Sequence, residues 1–459
     1  MPDAEFDVVT IGAGGGAYPA ALRLARAGLR VLLTDPKGAL GGNCLAEGCI
    51  PSKTMREMAA HIRLHARLTG DLADVGYDRI VAHKDAVQTA RYAQHGRELA
   101  AAPLVTLRKA VARFVDRHTL AIDDDMGRTT VKARHIIVAS GADVFLPALP
   151  GTDLCLTSRD LFRRNPTLTE RPASLIIIGG GAIGVETASL FAALGTRVTI
   201  LQRGPQILAG MDMDMVVALR ALLDPGIRII PDADVTAVER TPHGLRVHYT
   251  CAGQALQEEA ATVLMAIGRQ PVFPEGLGAL GVAFDKRGIR VNAAMQTDLP
   301  HLYACGDVNG RLPLFHAAVR ESLVASHNIL AGNTPCDYMD YTAVPVTLFT
   351  IPPAAQVGLT GAVAKAGPSI PELLETAYAF CDDARAQMQG DTGGGIHLFF
   401  ETGNLRLRGG WVVGIDAAQL IGEIGLAVAA GLSAHDLARF PDQHPMAAEG
   451  ISHAARTLL

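Results

Sequence analysis

Two cysteines, Cys44 and Cys49, lie five residues apart in the run Gly41-Gly42-Asn43-Cys44-Leu45-Ala46-Glu47-Gly48-Cys49-Ile50-Pro51-Ser52-Lys53. That spacing can close a disulfide around the first turn of a helix, and Ile50-Pro51-Ser52 reads as the start of one that runs to Leu68. A thiolate beside a helix N-terminus has a lowered pKa and becomes the reactive form at neutral pH. The chemistry these residues suit is thiol–disulfide exchange. A zinc site would want further Cys or His at close spacing, and none follows, so no metal is expected. The chain has 7 cysteines, an odd count, and Cys155, Cys251, Cys305, Cys336 and Cys381 are scattered. This is not the framework of a small secreted domain; a reducing cytoplasm fits, and there a close pair is catalytic rather than structural.

Exchange with an incoming dithiol also needs a base to take its proton, and histidine titrates in the right range. His444 and Glu449 stand five apart across a turn in Gln443-His444-Pro445-Met446-Ala447-Ala448-Glu449. A carboxylate behind an imidazole fixes its tautomer and raises its basicity, which is the relation this spacing allows.

These groups need a scaffold. Val8 to Ile11 reads as a short strand, Gly12 to Ala17 as a turn, Pro19 to Ala27 as a helix and Arg30 to Thr34 as a second strand closed by Asp35. The first small residue, Gly12, allows a tight turn, and Gly14 allows close approach of a pyrophosphate. Ala17 allows strand and helix to pack, and the helix N-terminus offers N–H groups to phosphate. Asp35 is placed to accept from an adenosine ribose. The design recurs with Leu175 to Ile178, the turn Gly179-Gly180-Gly181-Ala182-Ile183-Gly184, a helix from Val185 to Leu194 and a strand from Arg197 to Leu201. Gly179, Gly181 and Gly184 repeat the three small positions. Gly141, after Ile136 to Ser140, and Gly268, after Ala266-Ile267, close the two units and are expected to meet nucleotide. Two such units predict two bound nucleotides.

The balance of 41 basic and 46 acidic residues, with no long block of one sign, argues against nucleic-acid binding. No run approaches the length of a membrane span, and the acidic start does not read as a targeting segment.

The GGxCxxxGCIPSK segment, with the two nucleotide units, resembles the class I flavoprotein disulfide reductases, the family of dihydrolipoamide dehydrogenase, glutathione reductase and mercuric reductase. The resemblance covers essentially the whole chain. It implies an α/β fold with two doubly wound nucleotide-binding domains and a C-terminal α+β dimerisation domain. The expected division is FAD domain 1–150, NAD(P) domain 151–272, a central segment 273–341 completing the FAD domain, and interface domain 342–459. It implies FAD in the first unit and NAD(P)H in the second, with Cys49 against the flavin as charge-transfer thiol and Cys44 as the interchange thiol. Lys53 would lie near the flavin and pair with Glu186, and Asp307, in Leu302 to Asp307, would meet the ribityl chain. His444 and Glu449 match the family's HPxxxE motif, in which the histidine comes from the partner, so the resemblance implies a homodimer with shared sites.

The chain also departs from the pattern. Gln202 replaces the acidic residue expected to end the second unit's second strand, and Arg203 follows it. Loss of the carboxylate removes repulsion of a 2′-phosphate and Arg203 can pair with one, which points to NADP(H); Gly184 is nearer the NAD pattern. Cys49-Ile50-Pro51-Ser52-Lys53 is nearer dihydrolipoamide dehydrogenase than glutathione reductase, and the absence of a C-terminal cysteine pair weighs against mercury. A lipoyl-carrying protein or a small dithiol is the expected partner. The rivals are a mercuric, glutathione-like or other low-molecular-weight disulfide reductase and, in another class, a catalytically silent flavin-binding scaffold.

Overall fold

The run Val8-Val9-Thr10-Ile11 has no polar face of the kind a half-solvated strand shows, which suits a strand covered on both sides. The computed structural model describes residues 4–73, 75–361 and 372–459. In it this run ends the strand Ala4–Ile11, inside a six-stranded sheet. Val31–Asp35 pairs with it in parallel on one side and Gly127–Val138 on the other. Val105–Phe114 continues the parallel part beyond Val31–Asp35, and Leu302–Ala304 joins Gly127–Val138 from far along the chain. Thr119–Asp124 bridges the other ends of Val105–Phe114 and Gly127–Val138 as an antiparallel lobe. The helix Tyr18–Arg26 sets Ala20, Ala21 and Leu24, one apolar stripe, into this core beside the fully buried Leu32, Leu33, Ile136 and Ile137. Full burial of each such aliphatic side chain contributes roughly 1.5–3 kcal/mol.

The second unit is a parallel four-stranded sheet in the order Thr262–Met265, Ser174–Ile178, Arg197–Leu201, Arg228–Ile230. Its turn repeats the first one. Gly12 has φ +110° and Gly179 φ +109°; a Cβ would fall 2.1 Å from the Ala139 oxygen in one and 2.5 Å from the Ala266 oxygen in the other. Only glycine fits either place. A three-stranded antiparallel sheet, Asp234–Thr241, Gly244–Cys251 and Gln254–Ala260, follows, with Leu245, Val247 and Tyr249 alternating inward.

The C-terminal part is a five-stranded antiparallel sheet in the order Val346–Leu348, Ala354–Gly358, Leu407–Val413, Gly395–Glu401, Leu373–Ala379. Helices Ala417–Ala430 and Glu449–Arg456 close one side over Phe380, Phe400, Ile424 and Ile451. Trp411 and Phe399 belong instead to the core shared with the second unit's helix Met213–Leu222. This is the α/β architecture the sequence implies. A long helix, Tyr77–Ala100, has its first turn anchored in the core by Tyr77 and Ile80. One element bound differs from the reading. Cys44 sits on its own short helix, Gly42–Glu47, and Cys49 is the first residue of the helix Cys49–Thr69. Among the described residues no helix is long and apolar enough to cross a membrane.

Candidate active site

A cavity of about 1190 Å³ runs from the first glycine turn past both cysteines to the second unit's helix Ala182–Ala193. Sites for one small molecule span roughly 300–1,000 Å³, so this one has room for more than one ligand. Cys44, Cys49, Lys53, Glu186, Gly12, Gly14, Asp35, Gly141, Gly181 and Asp307 all line it. Helix starts deliver the two thiols, and the helical turn between them is held from outside. The fully buried Gln88, on the helix Tyr77–Ala100, donates from Nε2 to the carbonyls of Leu45 and Ala46, both at 2.9 Å. Glu47 is buried and accepts from Arg159 Nε at 3.0 Å, and Arg159 also bonds Asp143. Asn43 donates to the Ala142 carbonyl at 2.9 Å. Neither Gln88 nor Arg159 belongs to the motif.

Both cysteines are half-buried, and as thiols they differ. The hydrogen bond between the two sulfurs, followed by burial, pushes the Cys44 thiol up. The same bond, received as an acceptor, holds Cys49 below the ordinary thiol range, and Lys53 adds to it against the opposing effect of burial. Of the two, Cys49 is therefore the sulfur that ionises first and Cys44 the one that keeps its proton longer.

Lys53, one turn along from Cys49, bonds Glu186 through Nζ at 2.7 Å, and its ammonium lies 4.7 Å from the centre of the Phe349 ring. The other Glu186 oxygen accepts from the Phe349 N–H at 2.9 Å. Two helices from different units and one loop thus meet on the Cys49 side of the pair. Replacing Lys53 by Met removes the cation that favours the thiolate. The pH at which Cys49 alkylates with iodoacetamide is expected to rise by about one unit; an unmoved alkylation profile refutes the assignment of that cation to Cys49.

The nucleotide positions are laid out in parallel. Asp35 is buried and accepts from the Ala13 N–H at 3.1 Å and the Lys37 N–H at 2.8 Å. In the second unit the corresponding group is the amide of Gln202, whose Oε1 accepts from the Gly180 N–H at 2.8 Å. Gln202 thus does the turn-holding task of Asp35 with no charge, and the exposed Arg203 follows it. A Cβ on Gly184 would lie 2.0 Å from the Gly179 oxygen, and Ala17 is fully buried, so both third positions must be small. Gly268 has φ +121° and leads into Arg269–Pro271, which pairs with Ala142–Val144 beside Gly141. Burial raises the carboxyl pKa of Asp307, against the pull of Arg269, whose Nε is 3.9 Å away. Glu321, fully buried, anchors this corner by accepting from the Gly306 N–H at 2.6 Å and from Asn309 at 2.8 Å.

His444 and Glu449 are not brought to this cavity within one chain. His444 Nδ1 lies 3.0 Å from Glu449 Oε1, and Glu449 Oε2 accepts from the Met446 N–H at 3.1 Å. The bond with His444 is the main cause holding the Glu449 carboxyl below its usual range. The imidazole itself is 74% exposed on the C-terminal part, its Nε2 turned to no group of its own chain among the described residues.

Comparison with known proteins matches residues 6–322 to the model of the pyridine nucleotide-disulphide oxidoreductase family and residues 344–455 to that family's dimerisation domain. The chain belongs to the pyridine nucleotide-disulphide oxidoreductases. Among relatives of this oxidoreductase, dihydrolipoyl dehydrogenase of Haemophilus influenzae is 35% identical over 466 residues, covering 98% of this chain and 94% of that one. Dihydrolipoyl dehydrogenase of Staphylococcus aureus is 32% identical over 461 residues, covering 98% and 96%. The solved structure of LpdA from Mycobacterium tuberculosis matches with a TM-score of 0.89 at 26% identity, covering 99% of this chain and 100% of that one. The flavoprotein disulfide reductase RclA from Escherichia coli matches with a TM-score of 0.87 at 26% identity, covering 99% and 100%. The oxidoreductase is therefore an FAD- and nicotinamide-dependent enzyme acting on disulfides.

The residues present fit those groups. The Asp307 carboxylate accepts no hydrogen bond from another side chain among the described residues, which suits a polyhydroxyl chain laid against it. A Cβ on Gly181 would meet nothing within 4 Å, so the second turn opens onto free space where a pyrophosphate can approach backbone N–H groups. Asp307, Gly14 and Asp35 would hold the flavin nucleotide; Gly181, Gln202 and Arg203 would hold the nicotinamide nucleotide.

Proposed function

We propose that this oxidoreductase exchanges electrons between NADP(H) and a lipoyl-type dithiol or disulfide, as a cytoplasmic homodimer divided at residues 150, 272 and 341. The observation that carries the reading is the placement of the two thiols: both line one cavity with the Lys53–Glu186 pair and the two glycine turns, with Cys49 the more readily ionised and Cys44 the less. In the oxidised enzyme a substrate thiolate attacks the Cys44 sulfur of the Cys44–Cys49 disulfide. A mixed disulfide forms at Cys44, and Cys49 departs with the electron pair of the broken bond. A lowered thiol pKa makes it the better leaving group. The second substrate thiol, its proton taken by His444 of the partner subunit, attacks the mixed disulfide, and Cys44 is released as a thiol after protonation. The product is the substrate disulfide, and two electrons rest on the enzyme dithiol. A bound flavin supplies the chemistry that carries this pair to the nicotinamide. Lipoamide turnover, with glutathione disulfide and mercuric ion as competing candidates, tests the substrate; no turnover of lipoamide with either nicotinamide sinks it.

The choice of NADP(H) is supported by the neutral Gln202 amide and the exposed Arg203, which forms no ion pair among the described residues. In Gln202→Glu the carboxylate faces the 2′-phosphate, and kcat/KM for NADPH relative to NADH is expected to fall at least about tenfold. An unchanged ratio would remove the argument for NADP(H).

A further inference from the structure

The two sides of the thiol pair are chemically different. Lys53 and Glu186 stand on the side of Cys49. On the side of Cys44 the cavity wall is made by Tyr18, the first residue of its helix, and by Arg91 and His95, one turn apart on the helix Tyr77–Ala100. Tyr18 lies within electrostatic reach of both Cys44 and Arg91, and its ring meets that of His95 edge-on at 5.2 Å. His95 is buried; its Nδ1 is 2.9 Å from Glu98 Oε2, and its Nε2 has no protein partner among the described residues. Gln94 donates to the other Glu98 oxygen at 2.9 Å and accepts from Arg91 Nη1. Glu98 is thereby engaged by His95 and Gln94 and forms no ion pair with Arg91. Arg91 is left as a cation on the cavity wall without a paired carboxylate among the described residues, and its Nε is buried with no acceptor.

A buried guanidinium donor without an acceptor is costly unless a ligand supplies one. We infer that Arg91, with His95 beside it, forms a subsite for an anionic group, so that among its dithiol and disulfide substrates the enzyme prefers those carrying a carboxylate within reach of Arg91 over neutral ones, free lipoate over lipoamide included. Arg91 is the specificity-determining residue. A guanidinium presents planar paired donors matched to a carboxylate, and a neutral amide or methylene at the same place leaves them unpaired. Gln94 and Glu98 act through Arg91 and His95 as positioning residues. The subsite rests on the proposed role of Cys44 as the sulfur that meets substrate.

The test uses the flavin-loaded enzyme, reduced by two electrons and mixed in a stopped-flow device with two aryl disulfides. Dithiobis(nitrobenzoate) is dianionic and dithiodipyridine is neutral; both release a coloured thiol. The quantity read is the ratio of the anionic to the neutral rate. In Arg91→Leu this ratio is expected to fall about tenfold, the loss typical of one charge-assisted pair. Arg91→Lys, which keeps the charge without the fork, is expected to hold an intermediate ratio, and it decides the matter should the leucine variant not fold. A ratio equal to wild type in either variant, including an equal fall of both rates, overturns the subsite. Failure of the wild-type enzyme to react with either probe overturns Cys44 as the interchange thiol and this inference with it. Absence of lipoamide turnover bears only on the lipoyl reading.

Discussion

Cys44→Ser enzyme is expected to lose dithiol–disulfide turnover by roughly a thousandfold or more, while still passing electrons from the nicotinamide to a dye. Serine cannot form the disulfide and cannot be the atom a substrate thiolate attacks, so both exchange steps lose their sulfur. The variants also separate the two thiols. The bond from Cys44 is the main cause lowering the Cys49 pKa. A serine hydroxyl still donates, so the Cys49 thiol stays lowered in Cys44→Ser; Cys44→Ala removes the donor and moves its ionisation to higher pH. A thiolate lying against an oxidised flavin absorbs beyond the flavin's own band. That long-wavelength absorbance is expected in Cys44→Ser, displaced upward in pH in Cys44→Ala, and absent in Cys49→Ser. Turnover of lipoamide by Cys44→Ser above a few per cent of wild type, or the absorbance appearing in Cys49→Ser, would contradict the assignment. A scaffold with idle cysteines would show no such absorbance in any variant.

The parts of this site that were legible in the sequence are those held by short-range constraints. The two glycine turns are marked because the backbone at Gly12 and Gly179 passes too close to a facing carbonyl for any side chain. Asp35 and Gln202 stand at the same offset from those turns and bond the same kind of N–H, so the loss of charge at Gln202 could be seen without coordinates. Cys44, Cys49 and Lys53 are read from one run because a helix start organises all three. What stayed hidden depends on chain segments far apart. Gln88 looks like an ordinary helix residue until the carbonyls of Leu45 and Ala46 are found against it. Glu47 reads as a surface charge, yet it is buried and tied to Arg159 on the segment that leaves the first unit. Phe349 carries no motif; its place over Lys53 comes from the C-terminal part folding back on both nucleotide units. Arg91 and His95 had a faint mark in their spacing of four on one helix, but four-residue spacing of polar residues is common on solvated faces.

The position of His444 leads to the second large effect. As a general base it is worth about 10²–10⁴ in rate, so His444→Gln is expected to slow dithiol turnover by that factor. Within one chain its imidazole is exposed and lies outside the cavity that holds Cys44. It sits in the dimerisation domain, braced by Glu449 and the Met446 N–H. If the base serves the neighbouring subunit, a heterodimer of one Cys44→Ser chain and one His444→Gln chain has one site with both groups intact and one with neither. Each parent homodimer has two sites that lack one group. Heterodimers isolated through two different tags are therefore expected to show about half the wild-type activity, while both parents are nearly inactive. A histidine acting within its own chain gives the opposite result, because each chain of the heterodimer is then defective and mixing restores nothing. Glu449→Gln keeps the exposure and the fold of the turn but replaces the carboxylate by a neutral acceptor. Its heterodimer with Cys44→Ser should recover the same half of wild-type activity, because the one working site takes its His444–Glu449 pair from the Cys44→Ser chain, while the Glu449→Gln homodimer is slowed less than His444→Gln, since the imidazole stays and only the carboxylate behind it is lost.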